Sequence, residues 1–339
     1  MSFFERHWYR STHTAVTFLL LPLSWLFQGI IGLRRTIYRL KLKKTTHFRV
    51  PVIVVGNITV GGTGKTPFVI WLAHYLKTLG FQPGIVSRGV GGAQQRLPRV
   101  VKNTADPRAV GDEAILLANR SQCPVVIGID RVRAVQKLLA ISPCNVVISD
   151  DGLQHYQLGR KIEIAIVDGD RGLGNECFLP AGPLRESPKR LNEVNFVVQQ
   201  VARPTSNQDI GRDKLGEIKN FKMYLTGNEL VAVQDETQTI SLQTLLPTSS
   251  EVHAVAAIGN PLRFFNHLRE CGFNVIEHIF PDHYLYQKTD FQFSDNLPII
   301  MTEKDAVKCK KFADTRFWYL PVKAEVALSL EKELAKLLV

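Results

Sequence analysis

Residues 52–66 decide the fold: Val52-Ile-Val-Val55, then Gly56-Asn-Ile-Thr-Val-Gly-Gly-Thr-Gly-Lys-Thr66. The first four residues form a β-branched run that reads as a buried parallel strand. Pro67 and an amphipathic stretch (Phe68, Trp71, Leu72, Tyr75, Leu76) follow, ending near Gly80. Strand, glycine-rich loop, Lys-Thr and helix is the context of a P-loop. The chemistry requires these residue types. Glycines let the backbone N–H groups of Thr59, Val60, Gly61, Gly62, Thr63 and Gly64 close around phosphate oxygens, and the helix N-terminus adds partial positive charge. Lys65 reaches the β/γ-phosphates and the Thr66 hydroxyl suits a magnesium ion. The strict G-x-x-x-x-G-K-[ST] spacing is not met, because Thr59 stands at the first glycine position. The loop is closer to the Gly-Gly-x-Gly-Lys-Thr variant.

Further strand-end motifs lie downstream. Gly84-Ile-Val-Ser87 leads into Arg88-Gly-Val-Gly-Gly92, and Gly111-Asp112-Glu113 opens a helix. Acids there also suit a helix N-terminus on dipole grounds alone. Residues 125–129 read as another strand, ending at Asp130-Arg131. Val146-Val-Ile-Ser149 runs into Asp150-Asp151-Gly-Leu-Gln-His155. An apolar strand ending in Asp beyond a P-loop is the Walker B arrangement, which aims a carboxylate at magnesium or its water shell. After a strand at residues 162–167, Leu179-Pro-Ala-Gly-Pro-Leu-Arg-Glu186 holds Arg185 between prolines, a placement suited to phosphate.

The chain has 339 residues, 45% hydrophobic and 22% charged, which excludes a disordered chain, a collagen-like repeat or a disulfide-stapled mini-domain. Its length suggests two domains. Net charge is +11, but residues 1–49 contain nine Lys/Arg and one acid, so the body beyond them is nearly neutral. That distribution argues against a nucleic-acid partner. Five cysteines without a C-x-x-C pair read as reduced thiols, with no zinc site.

Residues 11–33 lack Asp, Glu, Lys and Arg, and as a helix would be roughly 35 Å long. At 100° per residue Arg6, Arg10, Thr14, Thr17, Ser24, Gln28, Arg35 and Arg39 share one narrow stripe, and the rest of the circumference is largely apolar. This pattern favours a helix embedded in one leaflet over a span, with Pro22 as a kink. The Arg34–Lys44 cluster would then face anionic headgroups on the cytoplasmic side. No small-x-small cleavage site follows the apolar run.

Taken together, GNITVGGTGKTP (56–67), SRGVGG (87–92), GDE (111–113), DDGLQH (150–155), LPAGPLRE (179–186), IGNPLRFF (258–265), PDH (281–283) and TEKDAVK (302–308), in this order, resemble the tetraacyldisaccharide 4′-kinases, the lipid A 4′-kinases of Gram-negative bacteria. The resemblance runs from the apolar N-terminal helix to about Lys308. It implies an ATP- and magnesium-dependent kinase at the cytoplasmic face of the inner membrane. Such an enzyme phosphorylates the 4′-hydroxyl of a tetraacylated glucosamine disaccharide 1-phosphate to give lipid IVA. It also implies two α/β/α domains joined by a short β linker. Carried over by motif, Lys65 and Thr66 are the P-loop pair, and Asp150 and Asp151 are the Walker B-like acids. Asp112 is the base for the sugar hydroxyl, oriented by His283. Arg185 neutralises phosphoryl charge, and Arg131 and Glu186 bear on the substrate. The chain departs from the family's usual residues at Val90, Leu153 and Tyr284.

The expected fold class is α/β: a P-loop NTPase-like parallel sheet, a smaller second α/β domain and an N-terminal membrane-associated helix. Residues 1–48 read as the membrane helix and 49–219 as the kinase domain, with a polar boundary around residues 203–219. Residues 220–339 read as linker strands plus the smaller domain. A second reading is a membrane-associated ATPase switch of the partition or septum-positioning type, which shares the Gly-Gly-x-Gly-Lys-Thr loop. Those proteins carry a signature lysine before the two glycines, where this chain has Val60, and their membrane helix is usually C-terminal.

Overall fold

A computed structural model describes residues 7–10, 12–93, 97–102, 104–202 and 220–338. The expected boundary at residues 203–219 lies outside the described residues, as does Arg6. In chain order the strands are β1 (Val52–Gly56), β2 (Pro83–Ser87), β3 (Arg99–Val100), β4 (Val125–Ile127), β5 (Val146–Ser149), β6 (Ile162–Asp168), β7 (Phe196–Gln200) and β8 (Asn220–Thr226), then β9 (Glu229–Ala232), β10 (Thr239–Ser241), β11 (Glu251–Ala256), β12 (Asn274–Ile279), β13 (Ile299–Thr302), β14 (Phe317–Leu320) and β15 (Lys323–Val326). The helices are α1 (Ala15–Arg39), α2 (Lys65–Thr78), α3 (Pro107–Val110), α4 (Asp112–Ser121), α5 (Arg131–Ile141), α6 (Leu242–Leu245), α7 (Pro261–Glu270), α8 (Glu303–Cys309) and α9 (Leu328–Leu338).

The strands form two sheets. The larger has the order β15-β8-β7-β6-β1-β5-β2-β4-β3 and is parallel except at its two edges, where β15 and β3 run antiparallel to their neighbours. β1 sits between β5 and β6. Its residues are buried on both faces, which is why this strand is a continuous apolar run without alternation. Ile53 and Val55 face the core built by α2, α4 and α9, whereas Val52 and Val54 face the core under α5. The carboxyl ends of β1, β2, β5, β6 and β7 therefore open on one edge, where open α/β sheets bind ligands. The smaller sheet, β10-β9-β14-β13-β11-β12, has its own cores around Phe265 and Phe291.

The division drawn at residue 220 does not follow the sheets. β8 continues the larger sheet beside β7, and the chain returns to that sheet through β15, paired antiparallel with β8 from Lys323↔Thr226 to Val326↔Met223. α9 then packs Leu330, Leu334 and Leu338 into the larger core. The apolar spacing of this last helix binds the C-terminus to the first half of the chain, a long-range pairing that local patterning does not reveal.

α1 is one continuous helix with Pro22 inside it, capped by Thr14 through a reciprocal bond with Thr17. It starts at Ala15, so Arg10 precedes it. Part of its polar stripe turns toward the protein. Thr17 and Ser24 are buried, Ser24 Oγ donates to the Phe178 carbonyl at 2.8 Å, and Arg35 pairs with Glu193. The apolar circumference faces outward, with Leu19 79% and Trp25 63% exposed. α1 is the one helix among the described residues long and apolar enough to cross a membrane, and little of it is buried.

Candidate active site

The loop after β1 is braced from outside by residues 179–186. Thr59 makes an antiparallel bridge to Leu184, Val60 N–H donates to the Pro183 carbonyl at 2.8 Å, and Arg185 N–H donates to the Ile58 carbonyl at 2.7 Å. This pairing accounts for Thr59 where a strict P-loop has glycine. The residue is extended and buried, which suits a β-branched side chain. Gly64, at φ +79°, turns the chain into α2, so Lys65 opens that helix and Thr66 follows in its first turn. Inside the loop the Asn57 side-chain amide donates to Thr63 Oγ1 at 3.4 Å.

The pairing with residues 179–186 also delivers Arg185 to the site. Its Nη1 donates to Asp151 Oδ1 at 3.0 Å and to Asn57 Oδ1 at 3.0 Å, and its Nη2 donates to Asp151 Oδ2 at 3.2 Å. Lys65 Nζ lies 3.9 Å from Asp151 Oδ1. Asp151 adopts φ +48°, a left-handed conformation that a non-glycine residue keeps only when its surroundings hold it there. Burial would raise its pKa, but Lys65 and Arg185 hold the carboxyl well below the usual range. Asp150 is the opposite case. It is buried, Ser87 Oγ donates to its Oδ2 at 2.9 Å, and its Oδ1 has no partner. Burial, with the Glu113 and Asp151 carboxylates nearby, pushes its pKa up to about 6.

Arg131 and Glu186, expected to bear on the substrate, are buried among protein partners. Arg131 is 2% exposed, and its guanidinium bonds the Gly128 carbonyl and, at 3.3 Å, the Asp150 carbonyl. Burial lowers its pKa to about 10, still cationic at neutral pH. Glu186 is 1% exposed and accepts from Gln154 Nε2 at 2.7 Å and from the Tyr156 hydroxyl, with Arg190 Nε at 3.6 Å. A buried ion must be paired, and these partners use the charges that would otherwise face a ligand. Arg131 thus bonds the Asp150 backbone, and Glu186 bonds Gln154, whose Nε2 also donates to the Asn57 carbonyl at 3.0 Å.

The second half of the chain contributes the other side. His283 Nδ1 lies 3.0 Å from Asp112 Oδ1 and 3.2 Å from Oδ2. Asp112 is the first residue of α4, where its Oδ1 also accepts the Glu113 N–H at 2.8 Å. His283 follows β12 in the smaller lobe. α8 supplies two cations to the same place. Lys304 Nζ donates to Glu113 Oε1 and Asp282 Oδ1, both at 3.0 Å, and lies 3.5 Å from His283 Nε2. Lys308 Nζ lies 2.8 Å from Asp305 Oδ1 and 3.4 Å from Asp112 Oδ2, as ion-pair contacts and not well-aligned hydrogen bonds. Burial would raise the pKa of Asp112, but His283, Lys304 and Lys308 bring it down to about 2. Burial works against a charged His283, yet the Asp112 hydrogen bond raises its pKa.

These residues fit a nucleotide and a hard divalent cation. The orphaned Asp150 oxygen, the Asp151 carboxylate and the Thr66 hydroxyl are oxygen donors of the kind magnesium takes. Among the described residues no group of three or more His, Cys, Asp or Glu forms a ready-made metal cage. Magnesium keeps several waters and takes phosphate oxygens, so few protein ligands are needed. In sequence, TEKDAVK gives Lys304 and Lys308 no role, and no local pattern marks Ser87, Asn57, Tyr156 or Arg190 as part of the site. The i, i+4 spacing of Lys304 and Lys308, behind the Thr302 cap that accepts the Asp305 N–H, was the available signal.

Comparison with known proteins identifies relatives of this chain. The profile of the family described as Tetraacyldisaccharide-1-P 4'-kinase matches residues 16–339. A tetraacyldisaccharide 4'-kinase of Coxiella burnetii is 47% identical over 333 residues, covering 98% of this chain and 94% of that protein. One from Methylobacillus flagellatus is 47% identical over 335 residues, covering 98% and 95%. In structure, the "apo" form LpxK from Aquifex aeolicus in complex with ATP matches with a TM-score of 0.78 at 27% identity, covering 96% of this chain and all of that one. The partition-type ATPase alternative finds no support in these matches. By sequence over nearly its whole length, and by fold, the chain belongs to the tetraacyldisaccharide 4'-kinase family.

Proposed function

We propose that this chain transfers the γ-phosphoryl group of ATP to the 4′-hydroxyl of tetraacyldisaccharide 1-phosphate, giving lipid IVA, with Asp112 as the proton acceptor. The observation that carries the residue assignment is the 3.0 Å contact between Asp112 and His283, made across the two lobes at the edge where the P-loop opens. Asp112 takes the hydroxyl proton as the new O–P bond forms, and the β–γ bridging oxygen leaves with its electron pair as ADP. His283 holds the carboxylate in place and balances its charge. Lys65, Arg185 and the backbone N–H groups of the glycine-rich turn at residues 61–64 face the developing phosphoryl charge, the Val60 N–H being held by the Pro183 carbonyl. Thr66, Asp150 and Asp151 would hold magnesium, which supplies charge neutralisation at the phosphates when bound. Arg131 acts through Asp150, and Glu186 through Gln154 and Asn57, as positioning residues.

The same reading seats the enzyme on the cytoplasmic face of the inner membrane as a monotopic protein, with residues 1–48 against an anionic lipid surface. Support comes from α1, which is docked along one side through Ser24, Phe27 and Arg35 and presents Leu19, Trp25, Leu26 and Leu33 outward. A helix tied to the body along its length lies in one leaflet. Its basic end would bring the acyl chains of a lipid acceptor to the kinase without extracting them from the bilayer.

The test is transfer of label from γ-labelled ATP to tetraacyldisaccharide 1-phosphate in detergent micelles, comparing wild type with Lys65→Ala. Product from the wild type and its near loss in the variant is expected. A folded wild type that forms no product refutes the reading.

A further inference from the structure

The segment before the apolar helix reaches the phosphate-binding loop from outside. Tyr9 Oη donates to the Val60 carbonyl at 3.2 Å, and its ring lies under the Arg171 guanidinium, 4.9 Å from Cζ to the ring centre. Arg171 Nη1 donates in turn to the Gly259 carbonyl at 3.0 Å. Gly259 abuts the loop so closely that a Cβ there would stand 2.4 Å from Gly62 N. The neighbouring Trp8 fixes the segment. Its indole N–H donates to the Pro180 carbonyl at 2.9 Å, its carbonyl accepts the Asn175 N–H at 2.8 Å, and it is buried. Four separate stretches of chain, residues 8–9, 171–175, 180 and 259, thus converge on the outer side of the loop and its brace. The matched family profile begins only at residue 16.

We propose that Tyr9, with Arg171, is a positioning residue for nucleotide binding that sets the orientation of the Val60–Gly61 peptide. In a trans peptide the Val60 carbonyl and the Gly61 N–H lie in one plane and point in opposite directions. Holding the carbonyl outward on the Tyr9 hydroxyl therefore holds the Gly61 N–H toward the inner side of the loop, where phosphate is bound. Gly61, at φ +113°, has no side chain to fix that plane by packing. Arg171 stacks on the Tyr9 ring and closes the bracket onto Gly259, so the smaller lobe presses on the loop through the same residues. The chain runs from Tyr9 into α1 within six residues, so the membrane helix and the phosphate loop are joined through this bracket. Without the hydroxyl the peptide is free to flip, and a loop that must be ordered at each binding event binds nucleotide more weakly.

This inference rests on the nucleotide-binding reading of the loop. Its test measures ATP binding to the full-length protein by equilibrium dialysis, beside transfer kinetics, for wild type, Tyr9→Phe and Arg171→Gln. Tyr9→Phe keeps the ring and removes one hydrogen bond, so the expected result is a roughly three- to tenfold rise in the Kd and KM for ATP. The kcat at saturating ATP, the KM for the lipid acceptor and the melting temperature stay at wild-type values, and Arg171→Gln moves in the same direction. An unchanged ATP Kd overturns the inference. So does a rise accompanied by parallel changes in lipid KM and melting temperature, which marks a merely structural contact. Wild-type protein that binds ATP but transfers nothing refutes the proposed acceptor and leaves the dialysis comparison as the judge of the bracket.

Discussion

His283 Nδ1 sits 3.0 Å from Asp112 Oδ1, and this one contact joins the N-terminus of a helix in the larger lobe to a loop of the smaller one, 171 residues apart in sequence. His283 holds φ +61° there, a conformation uncommon outside glycine that the ion pair and the Lys304 contact with Asp282 and His283 jointly stabilise. The Asp112–His283 pair is thus complete only when the lobes are together. In a two-lobed kinase this arrangement couples exclusion of water to assembly of the site.

The pair carries a pH signature. The folded pKa of His283 is raised above 6.5, so its contribution to stability is complete below that value and is lost as pH rises through the folded pKa. The folded pKa of Asp112 is lowered to about 2, so its contribution is present above 3.8 and is lost as pH falls toward 2. The melting temperature of wild type should therefore exceed that of His283→Asn most between about pH 4 and pH 6.5, with the gap narrowing at higher pH. A gap that stays constant as pH rises above 6.5 would show that no charge is shared between the two groups.

Lys308 is buried with Asp112 on one side and Asp305 on the other. Lys308→Met keeps the volume and removes the cation between two buried carboxylates that keep their other partners, which costs about 1–3 kcal/mol. Urea unfolding should register the loss as a lower midpoint. A midpoint equal to wild type would mean the lysine is not needed to balance those acids.

Arg185 grips Asp151 with both Nη atoms and reaches Asn57 as well. A lysine has one compact head and cannot reproduce the fork. Arg185→Lys should lower kcat roughly ten- to a hundredfold, the scale of the charge-assisted hydrogen bonds lost. Turnover at the wild-type level would remove Arg185 from the phosphoryl site.

The proposed membrane contact is the outward face of α1. Replacing Leu19, Trp25 and Leu26 together with serine leaves Ser24 and Phe27, the docked side, in place. Co-sedimentation with vesicles containing anionic phospholipid should fall sharply while transfer to a detergent-dispersed acceptor persists. Undiminished sedimentation would move the contact elsewhere on the protein.

Much of this was legible from residues 52–66, because a buried parallel strand, a glycine loop and a helix start are all local signals. The resemblance also named Asp112 and His283, although no local pattern could show their 3.0 Å contact. What stayed hidden depends on tertiary packing. The resemblance gives Arg131 and Glu186 a bearing on the substrate, and their burial was hidden because Asp150 and Tyr156 come to them from other segments, closing over the local partners Gly128 and Arg190. The stripe on α1 had the right period, but Thr17 and Ser24 face protein, since periodicity identifies a face and not what covers it. The return of the C-terminal helix to the first sheet is equally a matter of long-range contact.

The most direct measurement is single-turnover phosphoryl transfer by Asp112→Asn, with ATP binding measured on the same preparation. The asparagine keeps the size of the side chain and removes the proton acceptor. The account predicts a transfer rate lower by roughly a hundredfold or more, with the ATP Kd within twofold of wild type. Transfer at the wild-type rate would contradict it.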